Sequence, residues 1–169
     1  MSSVCIGVDP GVSGALAFLA CDTGRVIEVA DMPLYEGPHD REVDTRALGE
    51  LLCKYHARAI TIEDVWGRPG NSAKSLTTFC KAYGALLGTL WYCRLPFVRV
   101  TPQKWQNAMF TRVHLFDQVE AVGKFDTKAA SVFTANYLHP EAQLIRGKGR
   151  KPDHNRADAV CIARYGFKA

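Results

Sequence analysis

Residues 3–20 read SVCIGVDPGVSGALAFLA, two apolar runs joined by a Pro-Gly turn, and no other stretch limits the fold as much. The pattern predicts strands over 3–9 and 14–20 paired through the turn. Asp9 is out of place. It closes a run (Val4, Cys5, Ile6, Val8) that belongs in a core. A lone buried carboxylate is costly unless it is paired or binds a cation.

The rest of the chain extends this hairpin into a mixed α/β order. Asp22-Thr23-Gly24 is a turn before a third strand, RVIEVADMP, which completes an antiparallel meander. The polar stretch 35–43 reads as a loop. Asp44 then caps a helix running through His56, with Leu48, Leu51, Leu52 and Tyr55 at helical spacing. RAITIEDV (58–65) is a short β-branched strand followed by the loop WGRPGNS. A long helix over 73–92, a strand over 97–101 and helices over 102–109, 126–138 and 155–166 complete the chain. There is no repeat and no linker. The order suits one mixed sheet with helices on both faces. The 169 residues predict a single domain, 1–169.

Composition limits the surroundings. With 47% hydrophobic and 22% charged residues, the chain has the make-up of a soluble globule. No apolar run reaches the length of a membrane span, and the N-terminus lacks the shape of a signal peptide. The expectation is a cytoplasmic protein with no membrane partner. The six cysteines (Cys5, Cys21, Cys53, Cys80, Cys93, Cys161) stand singly in apolar segments without a CxxC pair, so buried free thiols are expected. The net charge is only +4, but residues 145–151 read IRGKGRK. Arg68, Lys74, Lys81, Lys104 and Arg112 add cations in the middle of the chain. Such a run is equally a solvated loop, and mild basicity alone does not establish a nucleic-acid partner.

The acids carry more. Asp9 ends the first strand, Glu63 ends ITIE, and DHNRADAVCIARYG places His154 and Asp158 at i and i+4 on one helical face. Three distant segments thus each bring a carboxylate beside an apolar run. Parallel sheets gather functional groups at the carboxyl ends of their strands. Such a cluster holds hard divalent cations through oxygen, and two such ions about 4 Å apart can cleave a phosphodiester. Each member also has a plainer reading: a turn former for Asp9, a paired carboxylate for Glu63, a cap for His154. Asp158 inside an alanine-rich apolar helix is the hardest to explain by packing. Asp153 reads as a helix N-cap and Asp64 as a solvent-side neighbour.

GVDPGVSGALA, TIEDVWGRPGNSAKSLTTFCKAYGALLG, VTPQKWQNAMF and PDHNRADAVCIARYG together resemble the RuvC-like Holliday junction resolvases, over about residues 4–166. The resemblance is greater to the phage-encoded and chloroplast branches than to the typical bacterial enzyme. It implies a ribonuclease H-like α/β fold, a five-stranded mixed sheet flanked by helices on both faces. It further implies a homodimer that cuts four-way DNA junctions with Mg²⁺ or Mn²⁺, two ions per site, and no nucleotide cofactor. By that resemblance Asp9, Glu63 and Asp158 are catalytic metal ligands. Typical bacterial members place the remaining ligand three residues before the final acid, here Asn155. The phage and chloroplast branches place it four before, here His154, and His154 is the residue assigned.

On this reading Asp9 offsets its burial by binding metal. The 73–92 helix carries Leu76, Phe79, Cys80, Tyr83, Leu87 and Leu90 at helical spacing, with Gly84 and Gly88 to one side. Each interior glycine costs a helix about 1 kcal/mol relative to alanine, which close approach of another helix would offset. The resemblance makes this helix the dimer contact, through Leu76, Phe79, Tyr83, Gly84, Leu87 and Gly88. Arg146, Lys148, Arg150 and Lys151 are expected phosphate contacts. Trp66 and Arg68 lie beside Glu63, where stacking on an unpaired base is possible. Lys74, Lys104 and Lys128 complete the expected DNA-binding set. His39, His114 and His139 are most simply solvated. Other readings are a sugar-kinase-like ATPase, a ribonuclease H-like nuclease for RNA–DNA hybrids or branched DNA, and a non-catalytic junction-binding module. An organelle rather than a bacterial or phage-infected cytoplasm also fits.

Overall fold

A computed structural model of the chain describes residues 3–36, 41–65, 70, 72–110 and 126–168. Its strands are β1 (Ser3–Asp9), β2 (Ala15–Ala20), β3 (Val26–Asp31), β4 (Leu34–Glu36), β5 (Arg41–Val43), β6 (His56–Glu63) and β7 (Phe97–Val100). Its helices are α1 (Thr45–Cys53), α2 (Ala73–Tyr92), α3 (Pro102–Met109), α4 (Thr127–Leu138) and α5 (His154–Lys168). Five strands form one mixed sheet in the order β3-β2-β1-β6-β7. The meander β1–β2–β3 is antiparallel, while β6 and then β7 add in parallel to β1. The ribonuclease H-like arrangement expected from the sequence is the one observed.

Strand alternation sorts side chains between two cores. Val4, Ile6, Val8, Leu16, Phe18, Ile60 and Ile62 pack beneath α1 and α2, meeting Leu48, Leu52, Leu86 and Leu90. On the opposite face Ala15, Ala17 and Leu19 pack with Trp105, Ala135 and, on α5, Ala157 and the run from Ala159 to Ala163. Where β2 and α5 meet on this second face, many of the residues are small: Ala15, Ala17, Ala157, Ala159 and Ala163. Gly7 shows why. A Cβ there would collide with the backbone of Ala159 and Ala163, so α5 rests directly on the main chain of β1. At its other end a Cβ on Gly166 would collide with Thr61 of β6. The helix that carries the last candidate acid is thereby pressed onto the two strands that carry the others.

Several expectations need correction. Residues 35–43 are not all loop, because β4 and β5 pair as a short hairpin, Leu34 with Val43. Strands of three residues are too short for alternation to reveal. Helix α1 starts at its Asp44 cap as expected but ends at Cys53, since His56 already pairs with Ser3 of β1. His139 is not solvated but only 4% exposed. Its Nδ1 lies 3.4 Å from Glu141 Oε1, which also accepts the Val26 amide, and burial pulls its pKa below the usual histidine value. His39 and His114 lie outside the described residues. The thiols are mixed, with Cys5 and Cys161 buried but Cys53 and Cys80 exposed. Leu90 is fully buried in this chain's own core and so drops out of the outward stripe of α2. No described helix is long and apolar enough to cross a membrane.

The contact at Gly7 makes a prediction opposite in sign to strand propensity. Alanine normally improves a strand, but Gly7→Ala should destabilise the protein by about 3 kcal/mol, because the helix backbone must move. Urea unfolding tests this, and an unchanged midpoint would contradict the contact.

Candidate active site

Val8 and Ile62 are partners across the parallel β1–β6 ladder, and Asp9 and Glu63 follow them at the carboxyl ends of the two strands. Alternation turns both acids toward α5. The chain leaves Asp9 through a tight turn, and a Cβ on Gly14 would collide with the Asp9 carbonyl. Gly11 takes φ +121°, a region suited to glycine. Glu63 is oriented by the buried Trp105 of α3, whose Nε1 donates to Oε1 at 2.9 Å. Asp158 sits on α5 between the fully buried Ala157 and Ala159. His154 begins the same helix, just after Asp153, whose Oδ1 accepts the amides of Asn155 and Arg156. That is the capping role expected of Asp153. Asp64 accepts the Tyr83 hydroxyl at 3.1 Å and lies 3.8 Å from Arg99, tying β6 to α2.

The three carboxyl groups act on one another electrostatically. Burial raises the Asp9 pKa well above the carboxylate range, and Asp158, Glu63 and Asp153 raise it further, with Arg146 opposing. Asp158 is pushed up to about 7, first by burial and then also by Glu63 and Asp153, while Ser131 and Lys128 act the other way. Burial and the charge of Lys128 lower the His154 pKa, which favours the neutral imidazole. Among the described residues no group of three His, Cys, Asp or Glu side chains closes to metal-holding distance. Like charge in a desolvated cleft opposes such closure. The donor set nonetheless fits a hard divalent cation: one buried and one half-buried carboxyl group held above their ordinary pKa, a third fixed by an indole, and a neutral imidazole.

Two cations, Lys128 and Arg146, act on this cleft. Lys128 stands exposed in the first turn of α4, near enough to act on both Asp158 and His154. Residues 145–152 form a loop closed at its base by the Ile145–Pro152 bridge and by the Asp153 amide donating to Leu144 O at 2.8 Å. Lys148, Arg150 and Lys151 are exposed on it, whereas Arg146 turns inward to acidic partners. Lys74 and Lys104 are exposed on α2 and α3. Trp66, Arg68 and Arg112 lie outside the described residues. Sequence reading missed Trp105 and Ser131 as supports of Glu63 and Asp158. Trp105 was within reach only through the VTPQKW segment, and Ser131 had no local signal.

No protein-family model and no curated protein matches the chain. Solved structures do. Thermus thermophilus RuvC in complex with a Holliday junction substrate is similar with a TM-score of 0.57 and 16% identity, over 98% of this chain and 91% of that one. A second Thermus thermophilus RuvC structure gives 0.58 and 18%, over 98% and 92%. The yeast mitochondrial Holliday junction resolvase Ydc2 gives 0.52 and 14%, over 99% and 78%. The fold is that of the RuvC-like resolvases.

The raised Asp158 pKa has a signed consequence. The unfolded chain ionises near 3.8 and the folded one near 7, so the folded state holds the proton longer as pH rises. Stability of the metal-free protein therefore falls from about pH 4 to 7 through this group, by at most about 4 kcal/mol. Asp158→Asn should remove that loss, gaining on wild type between pH 5 and 8 in urea melts with chelator present. Parallel pH profiles would contradict it.

Proposed function

We propose that this protein is a structure-selective DNA endonuclease that resolves four-way junctions by paired, divalent-cation-dependent phosphodiester hydrolysis. The observation that carries the reading is the convergence of Asp9, Glu63 and Asp158 toward one cleft, at the carboxyl ends of β1 and β6 and beneath α5. The fold likeness supports it, since one similar structure is a RuvC bound to a Holliday junction. An RNA–DNA hybrid nuclease would share the acids, so hybrid cleavage is the competing outcome.

Asp9, Glu63, Asp158 and His154 would hold Mg²⁺ or Mn²⁺, two ions per site in our reading. Bound there, the ions would activate water and stabilise the departing oxygen. The chain's own part is placement. Trp105 fixes the Glu63 carboxylate through the bond to Oε1. Lys128 favours the charged, ligating form of Asp158 and the neutral form of His154. Lys148, Arg150 and Lys151, with Lys74, Lys104 and Lys128, would bind phosphates without reading sequence. Trp66 and Arg68 keep their proposed place beside Glu63 in the chain.

Two symmetric cuts call for a two-fold dimer. Helix α2 supports one. Leu76 is 38% exposed, Phe79, Tyr83 and Leu87 are half-buried, and Trp91 and Tyr92 are 72% and 89% exposed at its end. A Cβ at Gly84 or Gly88 would meet nothing within 4 Å, so this chain's own packing does not require either glycine. Gly84→Leu or Gly88→Leu should weaken self-association in sedimentation while leaving the fold intact. A variant as dimeric as wild type would contradict an α2 interface.

The activity is tested on a synthetic four-way junction with duplex, flap and RNA–DNA hybrid as competitors. Paired, Mg²⁺- or Mn²⁺-dependent nicking of the junction is expected, and faster cutting of the hybrid would reassign the substrate. Asp9→Asn, Glu63→Gln and Asp158→Asn should each abolish cutting and keep junction binding. His154→Asp should retain activity, while His154→Ala should raise the metal concentration required. Wild-type behaviour of His154→Ala with loss in Asn155→Ala would move the ligand to Asn155.

A further inference from the structure

The sequence places Arg146 among the phosphate contacts, yet the fold engages its guanidinium elsewhere. Nη2 donates to the carbonyl of Ser13 at 2.9 Å, in the turn that follows Asp9. It also donates to Asp153 Oδ1 at 3.4 Å. Nε lies 3.2 Å from Asp31 Oδ1 and 3.3 Å from Asp153 Oδ2. Arg156, in the first turn of α5, donates from Nε to the same Asp31 oxygen at 2.7 Å, and from Nη1 to the Gln143 and Ile145 carbonyls at 2.9 and 3.3 Å. Two arginines and two aspartates thus alternate in charge across three segments, the end of β3, the root of the 145–152 loop and the start of α5, and the Ser13 carbonyl ties in the β1–β2 turn.

The geometry gives this cluster a mechanical task. The backbone contact at Gly7 pins α5 at Ala159 and Ala163, beyond the first turn. His154 precedes that pin by more than a turn and needs an anchor of its own. Asp153 caps the helix, and Arg146 joins that cap to the carbonyl of Ser13. We propose that Arg146, Asp31 and Arg156 form a positioning clasp that sets the entry of α5 against the turn after Asp9, so that Arg146 serves the reaction by placing the ligands and not by binding a DNA phosphate. Lys148, Arg150 and Lys151 keep the phosphate role, so one short loop carries both an inward and an outward function. The inference rests on the junction-nuclease reading, but its decisive observable is cation binding by the DNA-free protein.

The test compares Arg146→Gln, Arg146→Lys and Asp31→Asn with wild type. Mn²⁺ binding is followed by electron paramagnetic resonance, junction affinity over a salt series, and cleavage at saturating junction. A clasp predicts that all three variants weaken Mn²⁺ binding and slow cleavage about 10-fold, the loss usual for outer supports of a metal site. Junction affinity and its salt slope should stay at wild-type values. Lysine should not rescue, because a single ammonium cannot replace the guanidinium fork. A phosphate contact predicts the reverse: Arg146→Gln loses affinity and about one unit of salt slope, Arg146→Lys recovers both, and Asp31→Asn binds Mn²⁺ normally. That pattern would overturn the clasp. If Arg146→Gln fails to fold, Asp31→Asn and Arg146→Lys carry the same comparison. If wild type cuts no junction, the nuclease reading falls, and the Mn²⁺ arm still decides the clasp.

Discussion

Everything at the candidate site depends on a contact made without side chains, the seating of α5 on β1 at Gly7. Asp158 directly precedes Ala159, one of the two helix residues that touch this glycine. The height of the helix above the sheet therefore sets the distance of Asp158 from Asp9, two residues further along β1. A methyl group at Gly7 would lift the helix, and the cleft would widen with it. The alanines of α5 and the small residues Ala15 and Ala17 of β2 belong to the same requirement. Close approach calls for small residues where α5 meets the sheet, while leucine, isoleucine and phenylalanine fill the space beneath α1 and α2 on the other face.

The site itself works against folding. Asp9 and Asp158 are desolvated beside like charges, and both are held above the ordinary carboxylate range. A protein keeps such a cluster only when surrounding structure over-determines it. Here that structure is specific: the Gly7 contact from below, the Trp105 indole on Glu63, and the arginine–aspartate cluster at the helix entry. Each draws on a different part of the chain, so the cleft is built by convergence and not by any one motif.

Much of this was legible in the sequence. Acid-terminated apolar strands located Asp9 and Glu63, and the i, i+4 spacing paired His154 with Asp158 on one helical face. The long helix over 73–92 and the short one over 102–109 matched to the residue, because their start signals are local: the Ser72 cap for the first and Pro102 in the first turn of the second. What failed was non-local. His139 is buried because the chain after α4 returns beside β3, which no local pattern announces. Arg146 looked like its basic neighbours, and only its distance from Asp31 and Ser13 in the fold separates it from them. Trp105 could be read as core, but not as the donor to Glu63 across 42 residues of chain. Leu90 continued the stripe of α2 in sequence, but helix rotation turns it into the core.

The central claim is that Asp9, Glu63 and Asp158 are brought together to hold a divalent cation. Anomalous diffraction from crystals grown with Mn²⁺ tests it directly. The account predicts Mn²⁺ within coordination distance, about 2.1 Å, of carboxylate oxygens from both the strand pair and α5. Mn²⁺ bound only elsewhere, with none on the Asp9 or Asp158 carboxylates, would contradict it.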